Sequence, residues 1–176
     1  FCCLIFVRLR GVILISVGTL FSRQSAPLVG IDISSSSVKL VELAHDKAGN
    51  LVLERCAIEP LEQGWITDGN IEKFDEVAEA LRRLIQKSGT RTTNVALALP
   101  PSAVITKKIS LPAGMTDQEL EVQVESEANQ YIPFSLDEVS LDFCVIGPNK
   151  GSPGDVDVLI AASRREKVQD RQGLAE

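Results

Sequence analysis

A cluster of polar residues in one short stretch is the part of this sequence best suited to chemistry. It reads GIDISSSSVK from Gly30 to Lys39 and holds the carboxylate of Asp32, four consecutive serines and the ammonium group of Lys39. A turn between two strands exposes backbone N–H groups, serine hydroxyls donate further hydrogen bonds, and a lysine adds a compact positive charge. These groups suit a phosphate tail. Asp32 is suited to holding Mg²⁺ through water, because that ion keeps several waters and takes one or two carboxylates.

The same turn also has a purely structural explanation. Serine-rich turns are common because their hydroxyls bond the local backbone, and Asp32 and Lys39 would then be solvated charges. Taken alone, the residues favour this explanation. The two familiar glycine-rich nucleotide loops, G-x-x-x-x-G-K-[ST] and G-x-G-x-x-G, are absent from the sequence.

Composition argues against several other kinds of site. The 176 residues carry 18 Lys and Arg against 24 Asp and Glu, a formal net charge of -6. No overall basic field therefore exists to hold a nucleic-acid backbone, and we expect no nucleic-acid partner. His45 is the single histidine, which excludes a histidine-rich metal cage and disfavours a Ser/His/Asp triad. The four cysteines form no C-x-x-C pair, which is typical of a reduced cytosolic chain.

An acidic run in the second half of the chain is the other charged feature. Its members are Asp117, Glu119, Glu121, Glu125 and Glu127. Most such runs are solvated helix faces, and acids near a helix N-terminus also complement its dipole. Docking of a basic partner is the less favoured alternative.

Periodicity predicts the elements that must position the serine turn. Alternating apolar residues predict a meander of three antiparallel strands near residues 29–33, 38–43 and 51–58. A helical period follows, and Gly89 is placed to cap that helix at its C-terminus. Two further strands are predicted at 94–99 and about 103–111.

The last third of the sequence also contains both helices and strands. Thr116-x-x-Glu119 has the spacing of a capping box, and Ser163-x-x-Glu166 predicts a second one at the start of the last helix. Two strands lie between them, joined by a Gly/Pro loop from Gly147 to Gly154 that is long enough to be flexible. The order βββ, α, ββ, α, ββ, α fits neither a doubly wound parallel sheet nor an all-β sandwich. We therefore predict an α+β or α/β fold, a mixed sheet with helices packed on it.

Residues 1–27 differ from the rest of the chain. The first 22 of them are strongly apolar but broken by Arg8 and Arg10, and the apolar run from Gly11 to Phe21 is too short for a spanning helix, which needs about 20 residues. No clear small-x-small site follows that would mark an exported chain. We predict that residues 1–27 are an N-terminal extension that is either not native or disordered.

The segment GIDISSSSVKLVEL resembles the first phosphate motif of the actin-like ATPase superfamily. It aligns without gaps with the D-x-G-S-G-x-V-K pattern of actin, and four positions match: Asp32, Ser35, Val38 and Lys39. Ser34 and Ser36 stand where actin has glycines, a departure that bears on amide geometry and on nucleotide affinity.

Two later segments make the resemblance narrower. EANQYIPFSLDEVSLDF is similar to the A-x-x-Y-I-P-F segment of the PilM family of type IV pilus assembly proteins, and DVDVLIAASRREKVQD is similar to that family's V-D-V-L-L-A-A-x-[RK]-[RK]-E-x-V segment. With all three motifs in order over about residues 20–176, phosphate binding becomes the favoured interpretation of the serine turn. Residues 17–23 also look like the family's start, so we hypothesise a native start near Val17.

The resemblance implies a fold. It is the actin-like, ribonuclease H-like mixed sheet with an inserted SHS2-type 1C subdomain, which the cell-division protein FtsA shares. Residues 28–100 with 154–176 would form subdomain 1A, residues 101–153 would form subdomain 1C, and the second lobe would be missing.

The resemblance also implies a function. The protein would be a cytoplasmic ATP-binding scaffold, peripheral to the inner membrane through its partners. It would dock the cytoplasmic N-terminal peptide of a PilN-like inner-membrane protein and meet other components of the pilus machinery. Ser34, Ser35, Ser36 and Lys39 would hold the phosphates of ATP, and Asp32 would hold Mg²⁺.

The resemblance identifies no catalytic residue, and weak ATPase activity is left open. The fragment alone is expected to be inactive, because phosphate contacts without the opposite lobe leave a nucleotide half solvated. Two alternatives remain: an FtsA-like cell-division protein, and an SHS2 interaction module without nucleotide use, which the serines in place of glycines favour.

Overall fold

A computed structural model describes residues 4–8, 11–12 and 27–176. Within these residues the strands are β1 (Leu4–Arg8), β2 (Gly11–Val12), β3 (Val29–Ile33), β4 (Ser37–His45), β5 (Leu51–Pro60), β6 (Ile66–Thr67), β7 (Asn70–Ile71), β8 (Asn94–Ala98), β9 (Val104–Pro112), β10 (Val139–Pro148) and β11 (Asp155–Arg164). The helices are α1 (Phe74–Ser88), α2 (Asp117–Ala128) and α3 (Arg165–Ala175). None of these helices is long and apolar enough to cross a membrane.

The described chain divides into two compact units, and a mixed sheet forms the first. This unit contains the residues up to Ser102 together with Lys167–Glu176. Its sheet has six strands in the order β2-β1-β8-β3-β4-β5. Strand β3 is antiparallel to β4 and parallel to β8, and β4 is antiparallel to β5. The predicted meander and the predicted mixed sheet are therefore both confirmed.

Helix α1 covers one face of this sheet. Its inward stripe consists of buried residues three or four positions apart: Val77, Ala80, Leu81 and Leu84. These side chains share a core with alternate residues of β3 and β4, including Val29, Ile31, Val38 and Leu40. The apolar face of the helix thus packs on the apolar face of two strands, as expected of amphipathic elements. The helix ends at Gly89, whose φ of 65° lets its N–H reach the carbonyls of Ile85 and Gln86, as predicted.

The second unit, Ala103–Glu166, is a three-stranded antiparallel sheet with the order β10-β11-β9. Leu120 and Val124 of helix α2 share a core with Val158 and Ile160 of β11. The predicted capping box opens α2. The side chain of Thr116 accepts from the backbone N–H of Glu119, and the Glu119 carboxylate accepts from the backbone N–H of Thr116. The backbone N–H and the hydroxyl of Thr116 both donate to the Glu119 carboxylate, and these two hydrogen bonds lower the pKa of Glu119.

Strand β11 lies in the second unit, because it pairs with β9 and β10 along its length. Its inward residues are buried with α2 and β10, so of residues 154–176 only Lys167–Glu176 lie in the first unit. That residues 154–176 belong to subdomain 1A stays a prediction, and so does the identification of the two units with subdomains 1A and 1C.

The last helix is present as predicted, but the capping box predicted for it at Ser163 does not form. Strand pairing continues to Arg164, α3 begins at Arg165, and Ser163 lies within β11 opposite Val104 and Ser140. Ser163 is 5% exposed, and its Oγ has no hydrogen-bond partner in the described part of the chain. Pairing on both sides of β11 has overridden a local capping sequence.

The prediction for residues 1–27 falls mostly on residues outside those described. Within that segment β1 is paired antiparallel with β8, and β2 is paired with β1. Residues 4–8 and 11–12 therefore have strand structure, which differs from a wholly disordered extension. Whether the segment is native stays a prediction.

Candidate functional site

The serine turn is a tight hairpin between β3 and β4. The backbone N–H of Ser34 donates to the carbonyl of Ser37 over 3.0 Å, and the Ser34 hydroxyl donates to the same oxygen over 2.9 Å. One of the four serines is thus used to close the turn, as the structural explanation of the sequence anticipated. Ser35 and Ser36 are exposed at the tip.

The register of the hairpin brings the two charged candidates together. Asp32 and Lys39 are direct cross-strand partners. Because side chains alternate along a strand, and the residues on either side of each point into the core, both lie on the face opposite α1. Lys39 Nζ is 2.9 Å from Asp32 Oδ2 and donates to Ser34 Oγ over 3.3 Å. Three of the five predicted site residues, Asp32, Ser34 and Lys39, are therefore in contact where the turn joins the two strands.

A backbone hydrogen bond attaches the tip of the hairpin to the core of the first unit. The carbonyl of Ser36 accepts from the backbone N–H of Leu61 over 2.9 Å. Leu61 is buried in the core of the first unit, and so are Val38 and Leu40, which flank Lys39. The backbone of the turn is thus tied to the core on two sides, while its hydroxyls and the ammonium group stay near solvent. Such an arrangement pre-organises donors for an anionic ligand.

The serines that replace glycines cause no backbone strain. Among the described residues, Asp68 is the one non-glycine residue with a positive φ, so Ser34 and Ser36 both lie in ordinary conformations. Glycine is needed in a turn chiefly where φ is positive. The hairpin therefore forms with serine at both positions, and its backbone N–H groups keep a geometry that L-residues adopt without cost.

The donor set fits a hydrated Mg²⁺ accompanied by phosphate, and does not fit a stand-alone metal site. No group of three or more His, Cys, Asp or Glu side chains in the described residues could hold a metal ion. Asp32, with 59% of its side chain exposed, offers one carboxylate. Mg²⁺ commonly binds one or two protein carboxylates and fills its other positions with water and phosphate oxygens. The exposed hydroxyls and Lys39 are of the types that bind phosphate.

A buried carboxylate on β4 is a structural site that the sequence analysis missed. Glu42 is 6% exposed, accepts from the Thr90 hydroxyl over 2.8 Å and from the Thr92 hydroxyl, and forms an ion pair with Arg55 at 3.3 Å. The Thr92 hydrogen bond, aided by Thr90 and Arg55, lowers the pKa of Glu42 against the opposing effect of burial. The sequence did contain a signal for the burial of Glu42. Side chains alternate along β4, so Glu42 lies on the same inward face as Val38 and Leu40.

A buried arginine on α3 also escaped the sequence analysis. Arg171 is 2% exposed and donates from Nη2 to the carbonyl of Gly69 over 2.7 Å, while its Nε has no partner among the described residues. Burial lowers its pKa. The side chain therefore ties α3 to the turn between β6 and β7. No feature of the sequence around it distinguishes this arginine from its solvated neighbours.

The mixed sheet, the hairpin between its first two long strands and the second unit inserted before α3 define part of an actin-like fold. A family model described as type IV pilus assembly protein PilM matches residues 30–176. A solved PilM-PilN type IV pilus biogenesis complex contains a chain that matches with a TM-score of 0.73 and 31% identity, over 85% of this chain. The chain belongs to the PilM family of type IV pilus assembly proteins.

The match covers only part of the chain in the solved complex. This chain covers 44% of the chain in the PilM-PilN complex, so it spans less than half the length of that relative. A second structure, a diol dehydratase-reactivating factor in nucleotide free form, matches with 22% identity over 50% of this chain and 14% of that chain. Its TM-score is 0.30, which carries no argument about this protein.

Proposed function

We propose that this chain belongs to a cytoplasmic, actin-like scaffold of type IV pilus assembly that binds ATP with Mg²⁺ at the β3–β4 turn. The observation that carries the proposal is the meeting of Asp32, Ser34 and Lys39 on the exposed side of an anchored hairpin. Family membership supplies the cellular context. The proposal concerns binding, because no residue of the described chain is assigned to hydrolysis.

Each residue has a role that its chemistry supports. Lys39 would bind the phosphates as a point charge, and the hydroxyls of Ser35 and Ser36 would donate hydrogen bonds to them. The Ser34 hydroxyl would join them by exchanging its bond to the Ser37 carbonyl for one to phosphate. Asp32 would hold the magnesium ion through water. The bound Mg²⁺ would neutralise part of the charge of the phosphates. The buried neighbours of Lys39 would keep the strand backbone in place while its side chain reaches the ligand.

The partner is proposed from the solved relative. That structure is a complex of PilM with PilN, and we propose that this chain's protein docks the N-terminal peptide of a PilN-like inner-membrane protein. It would then be peripheral to the inner membrane and contact other pilus components through such partners. The net charge of -6 supports a protein partner rather than nucleic acid.

Calorimetric titration of the complete polypeptide with ATP and Mg²⁺ tests the nucleotide part. Replacing Lys39 with alanine removes a charge-assisted contact, so we expect Lys39→Ala to weaken binding by about tenfold or more. Lys108→Ala is the matched control, since Lys108 also forms an ion pair with an aspartate of the neighbouring strand, Asp157, at 3.0 Å but lies in the second unit. Equal affinities for wild type and Lys39→Ala would reject the assignment.

Fluorescence polarisation with a labelled N-terminal peptide of the cognate PilN-like protein tests the partner part separately. We expect saturable binding of this peptide and none of a scrambled peptide. Absence of binding, with ATP binding intact, would remove the partner from the proposal and leave the nucleotide site in place.

A second candidate function is an interaction module of the same family that does not use nucleotide. The specific observation in its favour is that Lys39, Asp32 and Ser34 already satisfy one another. This candidate predicts peptide binding with no heat of ATP binding. The family match favours a PilM-type protein over the FtsA-like alternative.

A further inference from the structure

Strand β5 leaves an apolar surface uncovered at the edge of the six-stranded sheet. Within the described residues this ten-residue strand has a neighbour, β4, on one side only. On the face opposite α1, the two strands expose large apolar side chains by 42% to 60%: Val41, Leu43, Leu51, Leu53 and Ile58. An edge strand that combines unpaired backbone groups with exposed apolar side chains is a template for pairing with another strand.

We propose that β5 docks a second copy of this chain, by antiparallel pairing of the two β5 strands. The same surface then serves both copies, which are related by a two-fold axis through the strand pair. The two sheets would join into one, and the apolar surfaces of the two copies would lie side by side. This inference goes beyond the proposed function and does not depend on nucleotide binding.

A β-bulge in β5 indicates the register of this pairing. Glu42 of β4 pairs with Arg55. The next residue of β4, Leu43, pairs with Leu53, so Glu54 is the extra residue of β5. Because the extra residue changes which face the following side chains take, two such strands keep their faces matched along their length when both bulges lie at the two-fold axis. The axis therefore passes between Glu54 and Arg55.

This register makes the charges of the two copies complementary. Glu54 of each copy lies opposite Arg55 of the other, and the symmetry produces this pair twice. The side chains of Arg55 and Glu54 are 39% and 47% exposed, so both can reach across the new strand pair. Opposite charges on facing strands stabilise their pairing, whereas like charges directly opposite destabilise it.

The apolar side chains match in the same register. Leu53 lies opposite Cys56 of the second copy, and Leu51 lies opposite Ile58. All four residues lie on the face opposite α1, because their partners in β4 include the outward residues Lys39 and Val41. Pairing would therefore bury apolar surface on the face where the monomer exposes it.

The alternative explanation is that β5 is a protected edge. Lys87 Nζ donates to the carbonyl of Ile58 over 2.7 Å, and Arg83 forms an ion pair with Glu59 at 2.8 Å. Lysines and bulges are among the devices by which edge strands avoid pairing. The Lys87 side chain is largely exposed, so a backbone N–H of a second strand can replace it at little net cost. A protected edge predicts a monomer at all concentrations.

Sedimentation velocity of the complete polypeptide without nucleotide, from about 1 to 100 μM, tests the surface. We expect a monomer–dimer equilibrium. Leu53→Lys should raise the dissociation constant of the dimer about tenfold or more, because two unpaired charges would enter the interface. Val122→Lys is the matched control, since Val122 is an exposed valine of α2 in the second unit. Both residues are exposed in the monomer, so folding should be unaffected.

Glu54→Lys tests the register. It places a positive charge opposite Arg55 at two symmetric positions, so we expect the dimer to weaken about tenfold or more at low salt and to recover partly at high salt. Glu121→Lys is the control, because it makes the same change of charge at an exposed position of α2.

Each outcome decides a different part of the inference. A wild-type protein that stays monomeric over the whole range overturns it. A dimer that withstands Leu53→Lys overturns the assignment of the surface to β5, and a dimer that Leu53→Lys weakens but Glu54→Lys does not overturns the register. A dimer weakened by both changes and by neither control supports the inference. Because nucleotide is absent, these outcomes are independent of the ATP titration.

Discussion

Lys39 and Asp32 form an ion pair of 2.9 Å because the β3–β4 register places them directly opposite each other. A slip of one residue in that register would turn one of the two strands over and move its charge to the buried face. The core residues Ile31 and Leu40, which are also cross-strand partners, prevent such a slip. The geometry of the candidate site is therefore set by burial on the other face of the same sheet.

The buried carboxylate of Glu42 should be important for the stability of the first unit. Glu42→Gln removes a charged acceptor of two threonine hydroxyls and the partner of Arg55. We expect the free energy of unfolding to fall by about 1–3 kcal/mol, measured by urea denaturation. Glu54→Gln is the control, because Glu54 is an exposed partner of the same arginine at 3.7 Å and should matter little. Equal effects of the two changes would show that the threonine contacts contribute nothing.

The same residue predicts a dependence of stability on pH. Folding lowers the pKa of Glu42 below the ordinary value for a glutamate, mainly through the Thr92 hydrogen bond. A group whose pKa is depressed by folding contributes its full stability above its unfolded pKa and loses it as the pH falls through the folded value. The stability difference between wild type and Glu42→Gln should therefore be constant near neutral pH and shrink below about pH 4.5. A difference that grows in acid would contradict the assignment.

Gly69 should tolerate no side chain. Its φ is +81°, and a Cβ atom at this position would lie 2.6 Å from Cγ of Pro100. We expect Gly69→Ala to lower the free energy of unfolding by about 2 kcal/mol or more, from backbone strain and overlap together. Gly64→Ala is the matched control, because Gly64 has a φ of +87° with nothing within 4 Å of the added carbon. Thermal unfolding of both variants isolates the overlap, and equal losses would place the whole effect in the backbone.

The loop between β10 and β11 should depend on Asn149. Its Oδ1 accepts from the backbone N–H groups of Gly151 and Ser152 over 2.7 Å and 2.9 Å, and its Nδ2 donates to Asp157 Oδ1 over 2.7 Å. Asn149→Ala should raise hydrogen exchange in residues 150–154, measured by mass spectrometry, because local order there would be lost. Lys150→Ala, a change of an exposed neighbour, should leave exchange unaltered. Unchanged protection in Asn149→Ala would mean that the loop is ordered by its backbone alone.

Features that depend on a few neighbouring residues were predictable. Gly89 caps α1 and Thr116 opens α2 as their spacing indicates, since a helix end is satisfied by residues within one turn. The position of the serine turn between two strands was predictable for the same reason. ATP and Mg²⁺ at this turn stay predictions, as do the binding roles of Asp32, Ser34, Ser35, Ser36 and Lys39.

Features that depend on partners distant in the chain were not predictable from local pattern. Ser163 has a capping sequence, yet β9 and β10 draw it into β11. The loop from Gly147 to Gly154 has a composition typical of flexibility, yet Asn149 bonds it to itself and to β11. Glu42 finds its hydroxyl partners 48 and 50 residues away.

The residues of the turn and their chemical types were legible in the sequence, because alternation and turn composition are local properties of the chain. The bond between Lys39 and Asp32 and their common exposure were decided by the tertiary structure. Strand register and the burial of the opposite face determine which side chains meet, and neither quantity is contained in any single segment. In this protein the local sequence pattern identifies the candidate binding residues. The tertiary packing determines that two of them, Asp32 and Lys39, form an ion pair with each other.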